Sequence, residues 1–169
     1  MTIAQTSLSL EFVLLGFLCQ GPIHGYSLHK KINGLEAISL VWDIKQSYLY
    51  ALLEKLEETG LLTFQMVPGE THRTRKMFEA TSLGRQEYLA CVASPVKQEW
   101  EMRQEFLAKL YFAQKAGSDF FFALLDKQTA ECAVWLTAHQ ISYSQTIAEQ
   151  HYEKMIFQFQ ISQTQSTLE

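Results

Sequence analysis

The chain has 169 residues, 47% of them hydrophobic and 12% aromatic, enough to fill the core of one ordinary domain or two small ones and to exclude wholesale disorder. Its net charge is −4, and its three cysteines (Cys19, Cys91, Cys132) are widely spaced with no CxxC, which argues for reduced, buried thiols rather than a disulfide framework or a structural zinc site. No apolar run approaches the roughly 18 residues of a membrane span and no basic-then-apolar leader opens the sequence, so a soluble, cytoplasmic protein without a membrane partner is expected.

Residues 8–20 are apolar on more than one face, which predicts a buried helix stopped by Gly21-Pro22. His24 to Asn33 reads as a short second helix closed by Gly34. Asp43 is a candidate N-cap for a third helix running to about Thr59. Its Leu49, Leu52, Leu53 and Leu56 recur at i, i+3, i+4, i+7, and Gly60 ends it. Leu61 to Val67 and Lys76 to Thr81 read as two antiparallel strands joined through Pro68-Gly69 and a polar stretch. Thr81-Ser82 then offers an N-cap for a further helix from Leu83. Three helices, a hairpin and a following helix within about 85 residues make a winged helix-turn-helix.

A boundary falls near Ser94-Pro95, because proline disfavours helical geometry in the residue before it. Seven of the eight glycines precede residue 90, and the remainder reads as long helices over residues 96–115 and 118–160, with Ser118 a candidate cap. In the later segment Val134, Ala138, Ile141, Ala148, Tyr152, Met155 and Phe159 step by 4, 3, 7, 4, 3 and 4, the spacing of a coiled-coil-like seam with Gln145 in its gap. A stripe this long in a small chain is most simply buried by a second copy, so a homodimer is expected. The fold class expected is mainly α (α+β): a winged helix-turn-helix with a two-stranded wing over 1–90, a helical dimerisation domain over 95–160 and a tail over 161–169.

The acidic total does not exclude DNA, since only the local potential at the phosphates matters. Eight Lys/Arg lie within residues 1–90, and Arg73, Arg75 and Lys76 cluster beside His72 on the expected wing, where cations can reach phosphates or the minor groove. In helix-turn-helix proteins the second helix of the motif enters the major groove. Here that helix turns its leucines inward and presents Gln46, Ser47, Tyr48, Tyr50 and Lys55, whose amide, hydroxyls and ammonium suit base edges and phosphates. A solvated helix and loop are the plainer alternative for each feature taken alone; the two together, at this distance, favour double-stranded DNA.

Four stretches carry a family resemblance. Leu8-Ser9-Leu10-Glu11-Phe12-Val13-Leu14-Leu15-Gly16 with Gly21-Pro22-Ile23-His24-Gly25-Tyr26, the run Leu49 to Leu62, the wing Arg75 to Arg85, and Phe106 to Phe112 together resemble the longer members of the PadR family of transcriptional regulators. The resemblance implies a dimeric winged-helix repressor that binds an inverted repeat in a promoter and is released by a small, often aromatic, effector. It also implies DNA contacts by Tyr50, Arg73, Arg75 and Lys76. Ala51, where many members have proline, and Tyr48, where a small residue is usual, depart from the pattern at the expected DNA face, which puts the family's usual ATGT/ACAT half-sites in doubt.

For an effector, Trp42, Trp100, Phe106 and Tyr111 supply flat rings around the domain junction, with Arg103 as a cation for a carboxylate; packing is the plainer role of such aromatics. The phenolic acids bound by some members are not carried over, because their binding residues are not matched here. No enzyme, cofactor or metal site is expected. Cys132 and His139 lie two helical turns apart, roughly 10 Å along the axis, Cys19 and His24 lack a third group to orient the histidine, and no GxSxG, HExxH or phosphate-binding glycine loop occurs. The rival reading is a protein-interaction module whose winged helix has lost DNA affinity; an enzyme with a site shared across a dimer is remote.

Overall fold

The computed structural model describes residues 8–34, 43–68 and 74–169. Helix α1 (Leu8–Leu18) is the central post of the first half. Phe12, Val13, Leu14, Phe17 and Leu18 are all sequestered from solvent, so the helix is covered on every side, as its continuous apolar character requires. The chain leaves it through Gly21, whose φ of 143° is open only to glycine at low cost. The guanidinium of Arg85 donates to the carbonyl of Cys19 at 2.6 Å and to Glu79 at 2.9 Å, placing a cation at the negative end of α1.

The two strands of the wing pair as expected, and a third, very short strand extends their sheet. β1 (Ile23–His24), β2 (Leu62–Pro68) and β3 (Thr74–Ala80) form an antiparallel sheet in the order β1-β3-β2, with Ile23 opposite Phe78 and Leu62 opposite Ala80. β1 is two residues long between a proline and a glycine, too short for a period-2 pattern to register. It takes His24 out of the second helix, so α2 (Gly25–Gly34) begins one residue later than the sequence suggested.

The third helix of the described fold, α3 (Gln46–Glu58), also starts later than expected, and Asp43 does not cap it. Its N-cap is Lys45, without a side-chain cap bond. The helix is positioned from outside instead. The amide of Asn33 on α2 donates to the Ile44 carbonyl at 3.0 Å, His29 donates to the same carbonyl at 2.7 Å, and Ile44 itself is buried. Leu49, Leu52, Leu53 and Leu56 face the core as their spacing predicts, and Gly60 at φ 72° ends the helix. Thr81 caps α4 (Ser82–Val92) by accepting from the Gly84 amide at 3.0 Å.

Beyond Pro95 the chain makes a 3₁₀ turn (Glu99–Arg103), then α5 (Glu105–Ala116) and α6 (Ser118–Gln145). The cap of α6 is Gly117, at φ 132°, rather than Ser118, whose hydroxyl turns to Asp119. Helix α5 belongs to both halves. Its Ala108 and Phe112 complete the core around α1, where Phe112 meets Phe12 and Phe17 edge-on at 5.6 and 5.5 Å, while Phe106 and Ala113 join Val96 and Leu124 in a second core. Gln128 of α6 bonds both backbone groups of Val96, fixing the connecting segment to the long helix.

The helix expected to run through residue 160 breaks. α6 ends at Gln145, and after a turn the chain continues as α7 (His151–Leu168), which folds back along α6. No glycine or proline makes this break. The Thr146 hydroxyl bonds the Ser142 carbonyl and the Gln150 side chain accepts from the Ile147 amide, so polar side chains satisfy the ends. Residues 161–168, expected as a tail, are helical. Thr164 is buried, near Glu99, which also pairs with His139.

Candidate nucleic-acid interface

With its leucines in the core, α3 exposes Gln46, Ser47, Tyr48, Tyr50, Ala51 and Glu54 together on its solvent side. The ring of Tyr50 lies over Gly25, the first residue of α2. A Cβ at Gly25 would fall 2.7 Å from that ring, so any side chain there would push the tyrosine aside. Tyr50 thereby forms one wall of a groove of about 460 Å³ whose other walls include His24, Tyr26, Arg75 and Lys76. The groove joins the recognition helix, the start of α2 and the central wing strand in one concave surface.

Its electrostatics are simple. Arg75 and Lys76 are exposed, and neither is paired with a carboxylate among the described residues. The Lys76 ammonium rests 3.8 Å from the centroid of Phe64, which orients the cation while leaving its charge unneutralised. His24 donates from Nδ1 to the Lys76 carbonyl at 3.2 Å, tying β1 to the same strand. Tyrosine hydroxyls beside unneutralised cations are the donors that phosphate oxygens accept from.

Two of the nine sequence-predicted contacts, His72 and Arg73, lie outside the described residues. Lys55 is exposed on the outer face, as its spacing predicts, and its ammonium is also 2.6 Å from Glu11 of α1, a bond that raises the lysine pKa above its usual value and links two helices. Helical spacing put it on the outer face; the partner lies 44 residues away, beyond the reach of local pattern. Tyr26 and His24 also line the groove, and the Gly25-Tyr26 pair beside a glycine-proline turn is their signal in the sequence.

The residues expected to pair two copies sit on two helices rather than one continuous one. Val134, Ala138 and Ile141 are exposed along α6, and Tyr152 (73% exposed), Met155 (72%) and Phe159 (67%) along α7, while Ala148 falls in the turn between. The side chains expected at an effector site have different surroundings in the single chain. Phe106 is core, Tyr111 packs edge-on against Phe112 at 5.1 Å, Trp100 and Arg103 are exposed, and Trp42 lies outside the described residues. No helix of the described residues is long and apolar enough to cross a membrane.

A helix-turn-helix with its second helix exposed, flanked by a wing bearing unneutralised cations, defines a winged helix-turn-helix DNA-binding protein. Residues 14–90 match the model of the Transcriptional regulator PadR-like family. The chain is 29% identical over 143 residues, 82% of its length and 75% of the relative's, to the Negative transcriptional regulator PadR of Bacillus subtilis (strain 168). It superposes on the crystal structure of Bacillus subtilis PadR in complex with operator DNA with a TM-score of 0.50, at 22% identity, covering 94% of this chain and 92% of that one. Against the same protein in complex with p-coumaric acid the TM-score is 0.45, at 23% identity, covering 95% and 92%. Residues 14–90 thus carry a PadR-like domain, and the chain as a whole is similar to PadR regulators.

Proposed function

We propose that the chain is a homodimeric repressor that binds an inverted-repeat operator in a promoter and is released by a small aromatic molecule. The observation that carries this reading is the groove in which Tyr50, Arg75 and Lys76 converge beside an exposed recognition helix. Gln46, Ser47, Tyr48 and Tyr50 are the proposed groove readers, and Arg75 and Lys76, with His72 and Arg73, the phosphate contacts. The exposed apolar faces of α6 and α7 supply the surface for a second copy: apolar side chains stepping at helical intervals, left in water by the single chain, are what an interface core covers. Repression and response to an aromatic effector come from likeness in sequence to the Bacillus subtilis relative, which is named a negative regulator and has been solved with operator DNA and with p-coumaric acid. The protein works in the cytoplasm and catalyses no reaction.

A gel shift with the DNA upstream of the chain's own gene tests the reading. Retardation that survives excess random duplex is expected, and Arg75→Ala should weaken specific and random binding alike while lowering the salt slope by about one counterion. A wild-type chain that retards neither duplex favours the protein-interaction alternative.

A further inference from the structure

A second cavity, of about 330 Å³, lies where α1, α3, α4 and α5 meet. Phe12 and Leu15 of α1, Leu56 of α3 and Ala90 of α4 give it hydrocarbon walls, and the volume suits a single aromatic ring with a short substituent. Five charged side chains also line it, and their pairing decides what it can take. Lys55 is held 2.6 Å from Glu11. Lys109, itself buried, is 3.1 Å from Glu105 and donates to the Ser94 carbonyl at 3.1 Å. Glu87, the third carboxylate on the wall, has no cationic partner among the described residues.

Three carboxylates against two ammoniums leave the cavity one negative charge in excess, and both ammoniums are already engaged. An anionic ligand would have to strip a lysine from its glutamate inside a half-enclosed site, where the abandoned partner is costly. A cation or strong hydrogen-bond donor meets Glu87 open and can share Glu11 and Glu105. We propose that this cavity binds a small flat aromatic molecule carrying a cationic or hydrogen-bond-donating head, of the amidine or amine type, and not an aromatic carboxylate. The proposal names the effector class for the regulator described above and rests on that reading for its effect on DNA; the binding itself does not. The link to DNA is direct in the structure, because Lys55 and Leu56 belong to the recognition helix, and a head group competing for Glu11 loosens the bond that ties α3 to α1.

The test uses the full chain without DNA, carrying ¹³C-labelled leucine methyl groups, titrated separately with benzamidine and benzoate. Benzamidine should shift the Leu15 and Leu56 methyl signals and benzoate should leave them in place. Ala90→Phe, which fills the wall, should abolish the benzamidine shifts. Glu87→Gln, a surface change with no packing cost, should weaken benzamidine roughly two- to fivefold, the range of a partly solvated ion pair. Benzoate binding at equal or lower concentration, unchanged shifts in Ala90→Phe, or no response to either compound would overturn the assignment. With no DNA in the tube, any of these results leaves the operator reading standing, and a failed gel shift leaves this one standing.

Discussion

Tyr50 does two things at once. Its ring packs on Gly25 and so fixes the spacing between the two helices of the helix-turn-helix, and its exposed edge borders the groove that Arg75 and Lys76 line. Tyr50→Ala is therefore expected to weaken operator binding by about 1–2 kcal/mol, roughly tenfold, the scale of one lost recognition contact, while the dimer sediments unchanged. Footprinting indistinguishable from wild type would remove Tyr50 from the interface. Cys91 makes a second residue-scale prediction. Burial pushes its thiol up to about 11 from an ordinary value of 9.0, against the opposing pull of Lys109. The unfolded chain then ionises this thiol first, so its contribution to stability is intact below pH 9 and is lost as the pH rises from 9 towards 11. Denaturant midpoints across that window should fall for the wild-type chain and fall less for Cys91→Ala.

At the scale of elements, the signals that were local in sequence were legible. The leucine spacing of α3, the glycine that ends it and the Thr81 cap all appear where the residues put them. What escaped was fixed by partners distant in the chain or by side chains without a standard signature. Asp43 looked like the cap of α3, but Asn33 and His29 hold the entry through Ile44. Lys55 is exposed as its spacing predicts, but its ion pair with Glu11, 44 residues away, leaves no local signal. The break after Gln145 is made by Thr146 and Gln150 with neither glycine nor proline, so one long seam became a helical pair with two exposed apolar faces. Those faces carry the element-scale prediction. Phe159→Lys places a charge in the face of α7 that a second copy would cover, and should raise the dimer dissociation constant at least tenfold in sedimentation equilibrium with helical content unchanged. A dimer as tight as wild type would move the interface elsewhere.

Across the whole molecule, α5 joins the two halves. Phe112 is seated so closely on α1 that a Cβ at Gly16 would come within 2.5 Å of its ring, and Gln128 clamps the segment that leads into α5. The division near residue 95 is thus a boundary in sequence but not in packing, because the aromatics that sequence reading offered to an effector include Phe106 and Tyr111, which the junction uses for its cores. In the proposed regulator, a recognition helix connected through packed side chains to the expected pairing surface makes the geometry of two copies on DNA a property of the fold. Hydroxyl-radical footprinting of the chain on its own upstream DNA reads that geometry directly. Two protected patches on one face of the duplex, centred about one helical turn (roughly 10 base pairs) or a small multiple apart, are the predicted result. A single isolated patch, or protection that does not depend on Phe159, would contradict it.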